Sequence, residues 1–396
     1  MKKEDCFLMK DVPGTENIYH VRNNKKDFYA VRKKINGKQI TFGSADALEE
    51  AVYIRDWCIS NNWSEKYPSM KGRLTFSEDF NILNRLHVER NLKPKTLETY
   101  FQTMDHYTKL FNKSLTELID LYVAEEESIV WKKRTLKSHL IQYRNYLYDK
   151  YMPDTARIYF GKLQTLFRHL EIEVGILPKL NTKNNNELPP ITHRDLLTNS
   201  ELVDAYNIAN SVMKAIILFQ TSSGCARRET LNLTVQDYLK ANNVRIIDKP
   251  VKSLLLKVDV NNVPCFEIKR QKTNKFYFTY CSPQANNEIL EYLINRDDLT
   301  LDSKLFDCNL YYWNNYFMKI NDELELGTAR KYNRFRSHML RKWHASTLYN
   351  NGMSMEDIDT LQGRSKDMTR RSYFMEDPEL LRKKYCEHMD CLLLEV

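Results

Sequence analysis

The sequence predicts a mainly α, multidomain protein. A small module of a three-stranded sheet plus a helix leads the chain, a helical bundle follows, and a mixed, mainly α domain closes it. Three observations carry this. Strand-like alternation around an Asn36-Gly37 turn fills the first 45 residues. Helical periodicity then runs almost unbroken from about residue 77 to 172. A polar, Asn-rich break ending in Pro-Pro separates that stretch from the rest. A length of 396 residues suits two or three domains.

In the first module, residues 1–70, Tyr19 to Arg22, Phe28 to Ile35 and Gln39 to Phe42 read as strands. A helix follows from about Ala45 to Asn61, with Ser44 as its N-cap and Leu48, Ala51, Val52 and Ile54 as its packing face. Alternation puts Tyr19, Val21, Tyr29, Val31, Ile35, Ile40 and Phe42 against the helix. Arg32, Lys34, His20, Arg22, Gln39 and Thr41 then point outward. Seven basic residues and one acidic residue lie between Arg22 and Lys38. A sheet with one basic, hydrogen-bonding face can enter a DNA major groove, with Arg22, Arg32, Lys34, Lys38 and Thr41 as contacts. A solvated charged face is the bland reading of the same run.

Pro68 to Leu74 reads as a linker. Residues 75–180 form the bundle, with helices near 77–91, 95–111, 115–126, 133–149 and 154–172. Lys93, Lys95, Lys132, Lys133, Arg134, Lys137, Arg144 and Arg157 decorate it, either as a phosphate-gripping surface or as ordinary solvated charge. After the linker at 181–190, residues 190–396 form the last domain. Its first helix starts at the capping box Thr198-Asn199-Ser200-Glu201. A hairpin from Cys265 to Cys281 breaks at Lys272 to Lys275. A C-terminal helix carries Leu380, Leu381, Tyr385, Met389 and Leu392 to Leu394 on one side.

Composition excludes several classes. No stretch approaches the roughly 18 unbroken apolar residues of a membrane span. The start, MKKEDCFLMK, has no apolar core of a secretory signal, so a cytoplasmic location is expected. Eight cysteines without C-x-x-C pairs read as reduced thiols. Only ten glycines occur, and neither G-x-G-x-x-G nor G-x-x-x-x-G-K-[ST] is present, so the usual nucleotide loops are missing. Cys386, His388 and Cys391 make a poor zinc set. The net charge of +8 is compatible with nucleic acid.

Three segments of the last domain stand out. In Ser223-Gly224-Cys225-Ala226-Arg227-Arg228-Glu229 a glycine ends one helix and two arginines open the next, which suits anion binding. In His338-Met339-Leu340-Arg341 the first and last side chains share a helix face. Leu361-Gln362-Gly363-Arg364 is followed nine residues later by Tyr373. Each is weak alone, and their order and spacing make them specific together.

In this order they resemble the tyrosine recombinase (phage-type integrase) family. That family has an arginine within a Gly-x-x-x-x-Glu helix start, matching Gly224 to Glu229. A lysine follows on a hairpin turn, matching Lys272. Then come His-x-x-Arg, matching His338 and Arg341, and Leu-x-Gly-His/Trp, matching Leu361, Gly363 and Arg364. A nucleophilic tyrosine, matching Tyr373, closes the set. The motifs cover 190 to 375. The helical pattern of 75–180 is similar to the family's core-binding domain, and residues 15–63 are similar to AP2-type arm-binding modules. The resemblance implies site-specific DNA recombination by a mobile-element integrase, on double-stranded core and arm sites. A homotetramer on synapsed DNA and a DNA-bending accessory protein are the implied partners. No cofactor is implied.

The implied chemistry gives each residue a task. Tyr373 attacks the scissile phosphodiester and conserves the bond as a 3′-phosphotyrosyl link. Arg227 and Arg341 grip the non-bridging oxygens. Lys272 protonates the leaving 5′-oxygen, and His338 relays the nucleophile's proton. Arg364 donates to a phosphate oxygen, and Glu229 orients an arginine. His344 reads as helix packing. Lys269, Arg270 and Lys275 compete with Lys272, and Tyr349 and Tyr385 with Tyr373.

There are two departures from the pattern. The family arginine sits three residues before the glutamate, which is Ala226 here. Arg227 and Arg228 are the candidates, and Arg227 is closer to the expected place. Arg364 replaces the usual histidine or tryptophan, and an arginine cannot act as a neutral acid or base. These departures motivate the alternative of a catalytically silent DNA-binding protein. A host chromosome-dimer resolvase is a further alternative, against which the arm-like module argues. The resemblance implies that the C-terminal tail docks on a neighbouring protomer, while its apolar side would also pack on its own domain.

Overall fold

The computed structural model describes residues 8–11, 15–23, 26–35, 37–67, 76, 79–180, 191–270, 275–364 and 377–396. The chain divides into two units, 1–187 and 188–396. In the first, the three expected strands are β2 (Ile18–Asn23), β3 (Lys26–Ile35) and β4 (Lys38–Ala45). A four-residue strand, β1 (Leu8–Asp11), pairs antiparallel with β2 at the sheet edge, giving the order β1-β2-β3-β4. It is too short to show alternation in the sequence.

The strand phases correct the expectation for β2. Ile18 sits opposite Val31, and His20 opposite Tyr29, whereas Tyr19 faces Ala30 and Val21 faces Phe28. Directly paired residues share a face, so β2 presents Ile18 and His20 to the helix side, not Tyr19 and Val21. A one-residue slip of phase flips a whole strand. On β4 the register jumps from Gly43↔Val31 to Thr41↔Arg32, so Phe42 is the extra residue of a bulge. Arg32, Lys34, Gln39 and Thr41 therefore do share the outer face, as expected.

Helix α1 (Leu48–Ser60) packs Ala51, Ile54 and Cys58 on Ile18, Val31, Phe42 and Ala45. Its N-cap is Ala47, without a side-chain cap. Ser44 does not cap it, because β4 runs on through Ser44 and Ala45, which pair with Ala30 and Tyr29. The bundle comprises α2 (Asp79–Glu89), α3 (Pro94–Phe111), α4 (Leu115–Glu126), α5 (Thr135–Lys150) and α6 (Pro153–His169). Pro94 and Pro153 open α3 and α6, where a missing N–H costs nothing. Ser114 and Glu117 form a capping box on α4. Sheet module and bundle share one buried cluster. Tyr53 of α1 lies edge-on to Phe80 of α2 at 5.7 Å, and its hydroxyl meets His87 Nδ1 at 3.0 Å.

The second unit begins with α7 (Asn199–Asn207), capped by the expected Thr198–Glu201 box. Then come α8 (Ser211–Ser223), α9 (Arg227–Asn232), α10 (Val235–Ala241) and α11 (Val251–Leu255). The expected hairpin is β5 (Cys265–Arg270) with β6 (Lys275–Tyr280). Next are α12 (Pro283–Ile294), α13 (Leu310–Glu323) and a second small hairpin, β7 (Thr328–Ala329) with β8 (Tyr332–Asn333). The last helices are α14 (Ser337–Asn350), α15 (Met355–Leu361) and α16 (Pro378–His388). Every residue of α8 except Ser211 and Lys214 is buried, so α8 is the axis of this core.

Of the two positions open to the tail, the structure has the intramolecular one. Leu381, Tyr385, Leu392 and Leu394 are buried in their own unit's core. The Gln284 amide clamps Leu394 from both sides, donating to its carbonyl at 2.6 Å and accepting its N–H at 3.1 Å. Among the described residues, no helix is long and apolar enough to cross a membrane.

Phe80 is 6% exposed at the junction of sheet module and bundle. Phe80→Ala is expected to cost about 3–5 kcal/mol of stability in urea unfolding of the full chain, the usual cost of emptying a buried aromatic site.

Candidate active site

The site starts where α8 ends. Gly224 caps α8 in the left-handed conformation, at φ +60°. A Cβ there would lie 2.5 Å from His344 Nδ1 and 2.8 Å from Gln362 Nε2. Glycine thus serves both the turn and the close approach of α14. Ala226 is the N-cap of α9, and Arg227 its first residue.

Arg341 on α14 is 8% exposed. Its Nη1 donates to the Gly224 carbonyl at 2.6 Å and its Nη2 to the Gln362 carbonyl at 2.5 Å. A guanidinium has five N–H donors, so two bonds orient it without exhausting it. The Gln362 side chain returns the contact, donating to the Arg341 carbonyl and meeting His344 Nδ1, both at 2.9 Å. His344 is fully buried, and desolvation, aided by the Arg341 charge, takes its imidazole down to about 3. It is therefore neutral packing, as the sequence implied. Gln362 went unremarked because it occupies the variable position of its motif.

Glu229 is buried, and its carboxylate accepts the Ala226 N–H at 3.2 Å and the Tyr277 hydroxyl at 3.3 Å. It thus holds the start of α9 to β6, and its charge favours the Arg341 guanidinium. The β5–β6 hairpin meets the third motif segment: Arg270 donates to the Gly363 carbonyl. A Cβ on Gly363, at φ +58°, would strike the Tyr277 ring.

His338 lies one turn before Arg341 and is only partly exposed. Its imidazole is held below the usual histidine value, first by partial burial and then by the cations Lys342, Arg336, Arg341 and Arg364. Arg364 is half-exposed and pairs with Asp359 at 3.1 Å. His338, Arg341 and Arg364 therefore lie within one another's fields. Arg227 is three residues from Gly224, and its Nη1 donates to Asn314 of α13 at 2.5 Å. Arg228 is exposed. Lys272 and Tyr373 lie outside the described residues, between β5 and β6 and between α15 and α16.

The N-terminal candidates divide. Arg32, Lys34 and Thr41 share the outer face of the sheet. Arg22 and Lys38 fall on the other face, where Arg22 lies 3.5 Å from Asp27 and Lys38 opposes Ile35. Among the described residues, no group of three His, Cys, Asp or Glu side chains converges as a metal site.

Two outcomes follow. Gly224→Ala should lower stability by about 2 kcal/mol or more, from left-handed strain plus overpacking, read by thermal melting. Acid should also destabilise the full chain. With His344 near 3 folded and near 6.5 unfolded, the unfolded state binds the extra proton between these values. Stability contributed by its neutrality is whole above pH 6.5 and falls as the pH drops toward 3. His344→Asn should flatten the acid limb of Tm against pH relative to the parent, in which other histidines also contribute.

No protein-family model and no curated protein matches the sequence. Solved structures do. The lambda integrase tetramer bound to a Holliday junction is 16% identical, with a TM-score of 0.44, covering 93% of this chain and 97% of that one. The XerH site-specific recombinase bound to difH in a pre-cleavage complex is 16% identical, with a TM-score of 0.47, covering 79% and 89%. The Tn1549 transposon integrase with circular-intermediate DNA is 13% identical, with a TM-score of 0.44, covering 78% and 98%. This is a likeness of fold at low identity, and no residue's role follows from it.

Proposed function

We propose that this chain is a site-specific DNA recombinase, the integrase of a mobile element, acting in the cytoplasm through a 3′-phosphotyrosyl intermediate. The observation that carries the reading is the buried Arg341 guanidinium, held by the Gly224 and Gln362 carbonyls beside His338 and Arg364. Three segments far apart in sequence meet at one cationic centre suited to a phosphodiester.

In this reading the Tyr373 oxygen bonds to phosphorus and the bond to the 5′-oxygen breaks. The tyrosine proton goes to the neutral imidazole of His338, and Lys272 protonates the departing 5′-oxygen. Arg227 and Arg341 neutralise charge on the non-bridging oxygens as it grows in the transition state, and Arg364 adds a third donor. Rejoining reverses each transfer. The domains are the arm-type module at 1–70, the core-binding bundle at 75–180 and the catalytic domain at 190–396. The outer sheet face with Arg32, Lys34 and Thr41 serves arm sites. Bundle and catalytic domain hold the core site, and a homotetramer acts on synapsed duplexes, with or without a bending protein. Ala226, at the family's arginine position, favours the second reading, a catalytically silent DNA-binding protein.

The deciding experiment is trapping of a covalent protein–DNA adduct on nicked core-site duplex in chelator. An adduct lost in Tyr373→Phe is the expected result. Sequence-specific binding without any wild-type adduct would establish the silent reading. Where cleavage occurs, its acid limb should lie below pH 6.5, since partial burial, and then the cations around His338, keep the imidazole neutral to lower pH than usual.

A further inference from the structure

From Arg330 to Lys342, six of thirteen residues are Lys or Arg and none is acidic. Two of the six are used inside the fold. Arg334 grips Glu201 with both Nη atoms, at 2.8 and 3.0 Å, and Arg341 holds the two carbonyls above. The other four, Arg330, Lys331, Arg336 and Lys342, lie on the β7–β8 hairpin or the start of α14.

That hairpin is firmly anchored. Ala329 is fully buried with Leu196 and Met339. The two-residue turn Arg330–Lys331 holds Arg330 at φ +58°, a conformation that costs a non-glycine residue about 1 kcal/mol. Next to the turn, Tyr332 is half-exposed and serves as a platform for two cations. Lys331 Nζ is 5.4 Å and Arg336 Cζ 4.6 Å from its ring centre. Arg336 Nε is buried without a hydrogen-bond partner in the structure. Lys342 is depressed first by burial, then by repulsion from Arg336 and Arg330, with only Asp195 opposing. Asp195 itself caps a short turn through the Thr192 N–H and hydroxyl, at 2.7 and 3.1 Å. Like charges gathered on an anchored turn cost the fold stability, and an anionic ligand relieves that cost.

We propose that Lys331 and Arg336, over the Tyr332 ring, together with Lys342, form a second phosphate-binding site for the DNA backbone, beside the phosphate that the reading above assigns to Arg341. The inference rests on the DNA reading above. A flexible polyanion would be served by lysines alone. The planar Arg336 guanidinium, held over the Tyr332 ring, instead suits the fixed succession of phosphates along a duplex. The site positions the duplex and leaves the chemistry to the residues around Arg341.

The test is anisotropy of a short fluorescent DNA duplex with the full chain over a series of salt concentrations. Lys331→Gln/Lys342→Gln keeps both stems and removes two charges. Losing two phosphate contacts should make the slope of log K against log salt shallower by about 1.8. Lys249→Gln/Lys257→Gln, two exposed residues elsewhere in the unit, makes the same change in net charge and should leave the slope unaltered. Arg336→Lys keeps charge but loses the planar guanidinium, and should weaken binding while melting like wild type. A hairpin variant with the wild-type slope, or a control pair with an equal loss, would overturn the site. Absence of salt-dependent duplex binding by the wild type would instead remove the DNA reading, and this inference with it.

Discussion

A single buried cation organises the second unit. The Arg341 guanidinium sits almost out of solvent, where a charge is costly unless hydrogen-bonded. Its two bonds reach the carbonyl after α8 and the carbonyl after α15. Each exists only because the backbone at that point is pulled close. Gly224 must lack a Cβ for α14 to come so near, and Gly363 must lack one to clear Tyr277. Gln362 then closes a reciprocal clasp, accepting from Arg341 and donating to its main chain. Removing the guanidinium would strand two buried carbonyls as well as a charge site, so residues distant in sequence are energetically coupled through it.

Electrostatics around this cation follow one rule: positive charge is collected, and negative charge is spent on structure. Glu229 is tied up at the start of α9 and by Tyr277. Glu201 is taken by Arg334, and Asp359 holds Arg364 in place at 3.1 Å. The histidines in the same field are pushed toward neutrality, His344 by complete burial and His338 first by partial burial and then by the surrounding cations. A neutral imidazole beside arginines can accept a proton, while the arginines remain fixed donors. Proton transfer and charge neutralisation are thereby assigned to different side chains.

Much of this was legible in the sequence because local rules and tertiary structure agree. The Thr198–Glu201 box, the prolines opening α3 and α6, and the glycine ending α8 are signals set by backbone chemistry alone. What misled were features decided by pairing. Alternation in Tyr19 to Arg22 favours the phase with Tyr19 and Val21 inward, and only the register with β3 selects the other phase, with Ile18 in the core. Ser44 looks like a cap, yet its N–H and carbonyl belong to a strand prolonged beyond a bulge that no periodicity announces. Gln362 makes three contacts in the site from a position at which the motif specifies nothing. The tail's apolar side fitted two partners, and the Gln284 clamp that holds it on its own unit lies 110 residues away.

The shifted arginine has a structural counterpart. At the position three residues before Glu229 stands Ala226, whose backbone N–H is committed to Glu229, while Arg227 follows as the first helical residue. An arginine moved by one residue points in a new direction and needs new support to be useful. Asn314 on α13 provides it, holding the guanidinium at 2.5 Å, whereas Arg228 projects into solvent. A side chain already restrained loses less rotamer entropy when it meets a phosphate, and that difference separates two neighbouring arginines of identical chemistry. The Asn314 contact thus separates Arg227 from Arg228 in a way that spacing along the chain could not supply.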